Sequence, residues 1–146
     1  MNMTKWDRRY MEMAELVASW SKDPSTRVGA VIVSPDNHVV SVGFNGFPRG
    51  IEDNDRLNQR GTKYMNIVHA EMNALIHADR SVEGCILYTY PFQPCSQCAA
   101  CIIQSGIKKI VTKRLSKVQP KWYNDFSNAR QMFDEANVEL EILGEA

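Results

Sequence analysis

A three-layer α/β/α domain around a five-stranded mixed sheet is the fold this sequence predicts. Three observations predict it. Apolar residues recur at helical spacing over residues 5–21. Two short apolar runs, 27–33 and 38–44, flank the turn residues Pro35, Asp36 and Asn37 and make a hairpin. From residue 69 onward helical and strand patterns alternate, and helical crossovers of this kind join parallel strands in a right-handed sense. Strands 3, 4 and 5 are therefore expected to be parallel. The chain has no internal repeat, linker or low-complexity segment, so residues 1–146 are read as one domain.

The elements follow in order. Thr4 and Asp7 resemble a capping box ahead of the first helix. Trp6, Tyr10, Met13, Val17 and Trp20 form the stripe expected to face the core. Pro24 disfavours helix at the residue before it. The first strand is an unbroken apolar run, which suggests burial on both faces. His38, beside the turn, is read as a solvated strand end. Residues 45–64 open with Gly46, Pro48 and Gly50, show no convincing period and read as a long loop. Loops of that length in a compact domain are often functional; the alternative is a surface excursion holding a short helix. A second helix is expected over 69–78, a third strand over 85–90, and a third helix over 95–105 that Gly106 stops. The fourth strand covers 107–112. Residues 113–121 are polar and basic, with Pro120 as a breaker. Asn124, Asp125 or Ser127 caps a fourth helix that ends near Asn137. Val138, Leu140 and Ile142 alternate with Glu139 and Glu141 in a fifth strand with one wet face.

Composition narrows the function. Apolar residues make up 44% of the chain, enough for a core and unlike a disordered sequence. Seventeen basic side chains balance seventeen acidic ones. A grip on a long polyanion ordinarily needs a basic excess, so a small-molecule substrate is favoured over nucleic acid. No apolar run approaches the ~20 residues that span a bilayer, and the start lacks the apolar region of a signal peptide. Those features point to a cytoplasmic protein, where the four cysteines serve as metal ligands or packing rather than as disulfides.

Pro94-Cys95-Ser96-Gln97-Cys98 and His69-Ala70-Glu71 carry the chemistry. Two cysteines three apart present two thiolates from one helical turn, and the histidine completes three protein ligands for zinc. Three ligands leave the fourth tetrahedral position to water, the arrangement of a catalytic rather than a structural zinc. Glu71 is close enough to act as a base without being a ligand. Each helix begins at its motif, so its free N–H groups and positive dipole end face the metal and favour the thiolates of Cys95 and Cys98. Residues i and i+2 diverge around a helix, so His69 and Glu71 share a site only if it lies over the helix end. Cys101 would sit about 9 Å along a regular helix from Cys95, whereas sulfurs around one zinc are about 3.8 Å apart. Cys101 is therefore read as a buried core thiol, and Cys85 and His77 as packing or surface residues. A Cys-x-x-Cys pair alone is shared with redox sites and zinc fingers. Joined to His-x-Glu upstream and to the proline before the first cysteine, it is the signature of the zinc nucleobase deaminases.

On these motifs the chain resembles the deoxycytidylate (dCMP) deaminases of the cytidine deaminase-like superfamily. The zinc motifs carry the superfamily. The narrower match lies in residues 21–30 (SKDPSTRVGA), 43–50 (GFNGFPRG) and 68–74 (VHAEMNA), and the resemblance spans about residues 6–143. It implies the cytidine deaminase-like fold and hydrolysis of dCMP to dUMP and ammonia, a step of pyrimidine deoxynucleotide metabolism leading toward dTTP. It implies one catalytic Zn2+ on His69, Cys95 and Cys98. An activated water would attack C4 of cytosine, and Glu71 would take its proton and then protonate N3 and the leaving amine. Asn45 matches the family position that contacts sugar and base, and the Ala70 N–H would hold the base carbonyl. Phe47 or Tyr90 would pack near the base or belong to the core. For the 5′-phosphate Arg27 is the first choice, followed by Lys113, Arg114 and Lys121; the alternative for each is a solvated surface charge.

Many family members are hexamers activated by dCTP and inhibited by dTTP. The resemblance places a regulatory nucleotide, with Mg2+ on its triphosphate, at the loop holding Gly46, Phe47 and Arg49. Some members bind a second zinc through cysteine or histidine after that loop. Residues 47–68 contain neither, so one zinc per chain is expected. Residues 113–123 depart from the vertebrate and phage pattern, which bears on nucleotide selectivity and regulation. Two other readings stay open. One keeps the chemistry and changes the substrate to dCTP, cytidine, guanine or a tRNA base. The other is a non-catalytic, zinc-stabilised binding domain in which the protein itself fills the fourth position.

Overall fold

Five strands in the order β2-β1-β3-β4-β5 form one mixed sheet in the computed structural model, which describes residues 3–146. Met1 and Asn2, the start of the segment read as lacking a leader, lie outside the described residues. The chain runs α1 (Lys5–Ala18), β1 (Gly29–Val33), β2 (Val39–Phe44), a 3-10 turn (Asp55–Asn58), α2 (Arg60–Asn66), α3 (Ala70–His77), β3 (Ile86–Tyr90), α4 (Ser96–Gln104), β4 (Lys109–Arg114), α5 (Pro120–Glu135) and β5 (Glu139–Glu145). β1 pairs antiparallel with both β2 and β3, and β3, β4 and β5 are mutually parallel, as the order of periods predicts. Among the described residues no helix is long and apolar enough to cross a membrane.

The sheet is buried on both faces, and β1 shows why its sequence is apolar throughout. Its five residues are all buried. Val31 and Val33 face α1, where they pack with Tyr10, Met11, Ala14, Tyr88 and Val111. Ala30 and Ile32 face the opposite layer, with Ala70 and Ala74 of α3, Ala99 and Ile102 of α4, and Ala129 and Phe133 of α5. Alternation along one strand thus feeds two cores.

α1 starts at the expected capping box: Thr4 Oγ1 accepts from the Asp7 N–H and Asp7 accepts from the Thr4 N–H. Its buried stripe is Asp7, Tyr10, Met11, Ala14, Val17 and Ala18. The expected stripe is corrected at its ends, because Trp6 and Trp20 are exposed and small alanines take the contact positions. Close approach to the sheet is the reason. A Cβ on Gly29 would collide with the Ala14 carbonyl oxygen, so at this point the helix sits directly on strand backbone. Asp7 is buried because its carboxylate accepts from the Tyr88 hydroxyl at 2.7 Å. That hydroxyl titrates above the ordinary range, through burial and the carboxylate beside it.

Three boundaries differ from expectation. The excursion after β2 is structured: Asn54 caps the 3-10 turn, α2 follows, and Gly46 and Val68 exchange backbone hydrogen bonds of 3.1 and 2.8 Å across its base. α5 begins at Pro120, which opens the helix at its first turn instead of breaking the chain, since that position needs no N–H donor. β4 extends to Arg114 and so takes in Lys113. The expected stops hold: Gly106 and Asn137 take positive φ of 89° and 58° just after α4 and α5.

Gly43 does for α3 what Gly29 does for α1. A Cβ there would meet backbone atoms of the helix, the Ala70 oxygen at 2.4 Å and the Ala74 nitrogen at 2.5 Å. Backbone atoms cannot rotate away, so Gly43→Ala displaces the start of α3. The expected outcome is a loss of at least about 2 kcal/mol of stability, as for an overpacked core, with reduced zinc content in thermal unfolding and metal analysis. Gly61→Ala, where no atom lies within 4 Å, is the control expected to leave both unchanged.

Candidate active site

The sheet places three chain segments at one end. Gly29 pairs with Phe44 on one side and Tyr90 on the other, so the ends of β2 and β3 flank the start of β1. From there β2 leads through Asn45 and the Gly46–Val68 bridge to α3, and β3 leads through Pro91–Pro94 to α4. Both helices therefore start beside the loop, residues 21–28, that enters β1.

His69 is the N-cap residue of α3 and Cys95 that of α4, with Cys98 one turn further on. Neither N-cap side chain bonds its own helix. A serine or aspartate there would stabilise each helix by about 1 kcal/mol. The two caps are instead turned toward one point. His69 Nδ1 lies 3.2 Å from Cys98 Sγ and 3.5 Å from Cys95 Sγ, and the three ligand atoms all lie within 4.8 Å of one another. These are separations that bonds of about 2.1–2.3 Å to one tetrahedral ion require, and two thiolates with an imidazole are a zinc donor set. The Cys98 thiol beside it holds Cys95 down to about 4, helped by His69, and the nearness of Cys95 together with burial pushes Cys98 up.

Glu71, in the first turn of α3, is buried, and burial pushes its carboxyl up to about 7 while His69 pulls it back. A carboxyl that titrates near neutrality can both take and return a proton. His69 is shifted up, chiefly by its hydrogen bond to Cys95. Cys101 corrects an expectation. It is exposed, because the buried face of α4 is Cys98, Ala99 and Ile102. It stays outside the ligand group, as the helix spacing requires. Cys85 is core, and His77 is exposed, with Arg49 on its Nε2 at 3.1 Å.

His69, Ala70, Glu71 and Cys95 line a cavity of about 610 Å³. Arg27, Asn45 and Lys121 line it too. Lys113 and Arg114 do not: Lys113 is half-buried on β4, short of the loop that reaches the cavity. Asn45 is buried and engaged. Its Oδ1 accepts from the Val28 N–H at 2.9 Å, and its Nδ2 donates to the Thr26 carbonyl at 2.9 Å and the Asp23 carboxylate at 3.4 Å. Gly46, Phe47 and Arg49 lie outside the cavity lining, with Phe47 under the Arg56 guanidinium. Tyr90 packs toward the α1 layer.

The aromatic wall is supplied elsewhere. Phe92, Phe126 and Trp122 line the cavity as a continuous array, with ring centroids 5.6 and 6.0 Å apart. α5 is latched to the start of α4, where Asp125 accepts from the Ser96 N–H at 3.1 Å and Ser96 Oγ donates to the Asp125 carbonyl at 2.9 Å. Arg60, Lys63 and Lys117 complete the charged lining. Sequence reasoning missed Lys63 and Arg60 because they stand in the aperiodic stretch after β2. It missed the wall because α5 was expected to begin after Trp122.

The family follows from comparison with known proteins. Residues 4–114 match the model of the cytidine and deoxycytidylate deaminase zinc-binding region. The chain belongs to this deaminase family. The family's chemistry is hydrolytic, and the zinc-binding region contains the cluster described above. An uncharacterised deaminase from the luxG 3′ region of Aliivibrio fischeri is 45% identical over 142 residues, covering 97% of this chain and 95% of that protein. A deoxycytidylate deaminase of Pongo abelii is 38% identical over 144 residues, covering 92% and 77%. The crystal structure of the dCMP deaminase of cyanophage S-TIM5 in complex with dCMP and dUMP superposes with a TM-score of 0.75 at 26% identity, covering 97% of this chain and all of that one.

Stripping the metal with a chelator is expected to abolish deaminase activity and lower the unfolding temperature, because two helix starts then lose their common anchor. Zinc readdition restores both, read by metal analysis and thermal unfolding. Cys101→Ser is expected to bind zinc as the wild type does.

Proposed function

We propose that this protein hydrolyses dCMP to dUMP and ammonia. One observation carries the reading: a His/Cys/Cys cluster and a buried carboxylate adjoin a cavity that Arg27, Arg60, Lys117 and Lys121 also line. The family relatives named deoxycytidylate deaminase, and the fold neighbour in complex with dCMP and dUMP, support the same substrate.

His69, Cys95 and Cys98 would hold a zinc ion, which would supply Lewis-acid activation of a water. Glu71 would take one proton from the water and deliver it to N3 as the water oxygen bonds to C4. It would then take the remaining O–H proton and pass it to the C4 amine, which leaves as ammonia while C4 becomes the uracil carbonyl. The Ala70 N–H, free at the first turn of α3, donates to the base carbonyl. Phe92, Phe126 and Trp122 exclude water and cover the apolar edge of the nucleoside. Asn45 holds the 26–28 backbone in place, and the remaining lone pair of its Oδ1 would accept from a sugar hydroxyl. Arg27 and Lys121 take the 5′-phosphate; Lys113 and Arg114, outside the cavity, do not.

The chain acts as one domain in a homo-oligomer, a hexamer by family resemblance. Gly46, Phe47 and Arg49 are proposed for a regulatory triphosphate carrying Mg2+, with dCTP activating and dTTP inhibiting. Thiolate ligands suit a reducing, cytoplasmic setting. One observation favours a second substrate. Arg27, Arg60, Lys117 and Lys121 all line the cavity and form no salt bridge among the described residues, so a longer phosphate chain, as in dCTP, has partners.

An ammonia-release panel of dCMP, dCTP, cytidine, deoxycytidine and guanine tests the assignment, with and without dCTP and dTTP as effectors. dCMP is expected to be turned over best, and activity confined to another base sinks the reading. Glu71→Gln should keep its zinc and lose about 10²–10⁴ in kcat. Wild-type turnover by that variant removes Glu71 from its role.

A further inference from the structure

α2 has a single buried side chain, and it is Lys63. Tyr64 and Met65 beside it are exposed at 48% and 81%. A helix that docks only to cover the core buries an apolar stripe. This one inserts an ammonium instead. Lys63 Nζ lies 3.2 Å from Asp23 Oδ1 and 3.3 Å from Ser25 Oγ, and the Lys63 and Asp23 side chains are 9% and 3% exposed. The same Asp23 carboxylate accepts from the Ser25 N–H at 2.8 Å, the Thr26 N–H at 3.1 Å and the Asn45 amide at 3.4 Å. The loop ahead of β1 is thus wound around one buried carboxylate, and Lys63 provides its neutralising charge. Lys63, Asp23, Ser25, Arg27 and Asn45 all line the active-site cavity.

We propose that Lys63 is a specificity-determining positioning residue that makes the enzyme require a 5′-phosphate. It does so in two ways. It anchors the turn that carries Arg27, whose own side chain is exposed and forms no salt bridge among the described residues. It also cancels the charge of Asp23, which otherwise repels a phosphate dianion across the cavity wall. Lys63 touches neither the base nor the metal ligands. Its influence therefore falls on the phosphate end of the substrate and leaves the chemical step alone. The inference rests on the reading of the substrate as a nucleotide.

The test compares zinc-loaded wild type, Lys63→Met, Lys63→Arg and the double variant Asp23→Asn/Lys63→Met, using dCMP and its phosphate-free analogue deoxycytidine. Lys63→Met is expected to raise KM for dCMP about tenfold or more with kcat changed less than about threefold, while kcat/KM for deoxycytidine, which shares the Asn45 contact, falls by no more than about threefold. Lys63→Arg recovers most of the discrimination. The double variant loses both charges together and folds, yet still discriminates less than the wild type because its turn has lost the anchor. Parallel losses on both substrates, or a wild-type dCMP-to-deoxycytidine ratio in Lys63→Met or in the double variant, overturn the proposal. If the wild type deaminates neither compound, it is the proposed function that fails. The inference is then decided by calorimetric binding of dUMP against deoxyuridine, where Lys63→Met must weaken dUMP at least about threefold more than deoxyuridine.

Discussion

Two helix starts aimed at one point are the constraint on which the rest of this molecule depends. His69 and Cys95 occupy N-cap positions and leave their own helices uncapped. Both helices are short, so the ends left without partners are a sizeable fraction of each. A metal held by the imidazole and the two thiolates would tie α3 and α4 to each other and so offset what the missing caps give up. The dipoles of both helices also lower the cost of negative charge there. Placing Glu71 at the first turn of α3, rather than further along its side, brings a residue two positions from a ligand over the same point.

Everything else in the fold supports that convergence. Gly29 and Gly43 stand on neighbouring strands and leave opposite faces of the sheet bare, so α1 and α3 both seat within backbone contact. The Gly46–Val68 bridge brings the chain back beside Asn45 after the excursion, which delivers His69 to the end of β2. On the far side, Asp125 and Ser96 bind α5 to the first turn of α4. The aromatic wall is thereby fixed relative to the metal ligands and not to the sheet alone. The cavity is bounded by segments that are far apart in sequence, and polar contacts hold them, one of which, Lys63 with Asp23, is a buried ion pair. Breaking that pair by removing a single partner costs about 3–5 kcal/mol.

Periodicity made the order of elements legible apart from the 3-10 turn and α2, and with it the hairpin and the two parallel crossovers. The misreadings have specific causes. Pro120 acts as a first-turn residue because the basic segment before it folds back over the cavity, which a proline rule read locally does not foresee. Trp6 and Trp20 carry large apolar surface at correct spacing yet lie outside. The glycine-floored contact with β1 admits alanines and excludes indoles. Cys101 follows helical spacing from Cys98, but the buried face of α4 is the side that carries Ala99 and Ile102.

The sequence by itself determined the candidate donor set, its neighbouring carboxylate and the helices that carry them, because His-x-Glu and Pro-Cys-x-x-Cys are local patterns set by residue type and spacing. Tertiary structure decided the substrate's surroundings. The pairing of Lys63 with Asp23 joins residues 40 apart in the chain. The rank of the cations, with Arg27 and Lys121 inside the cavity and Lys113 outside, depends on where the strands end. No local pattern encodes such contacts. They arise only when a closed sheet end brings loops from four parts of the chain around one space, and there the free energy of burying a charge selects which side chains meet.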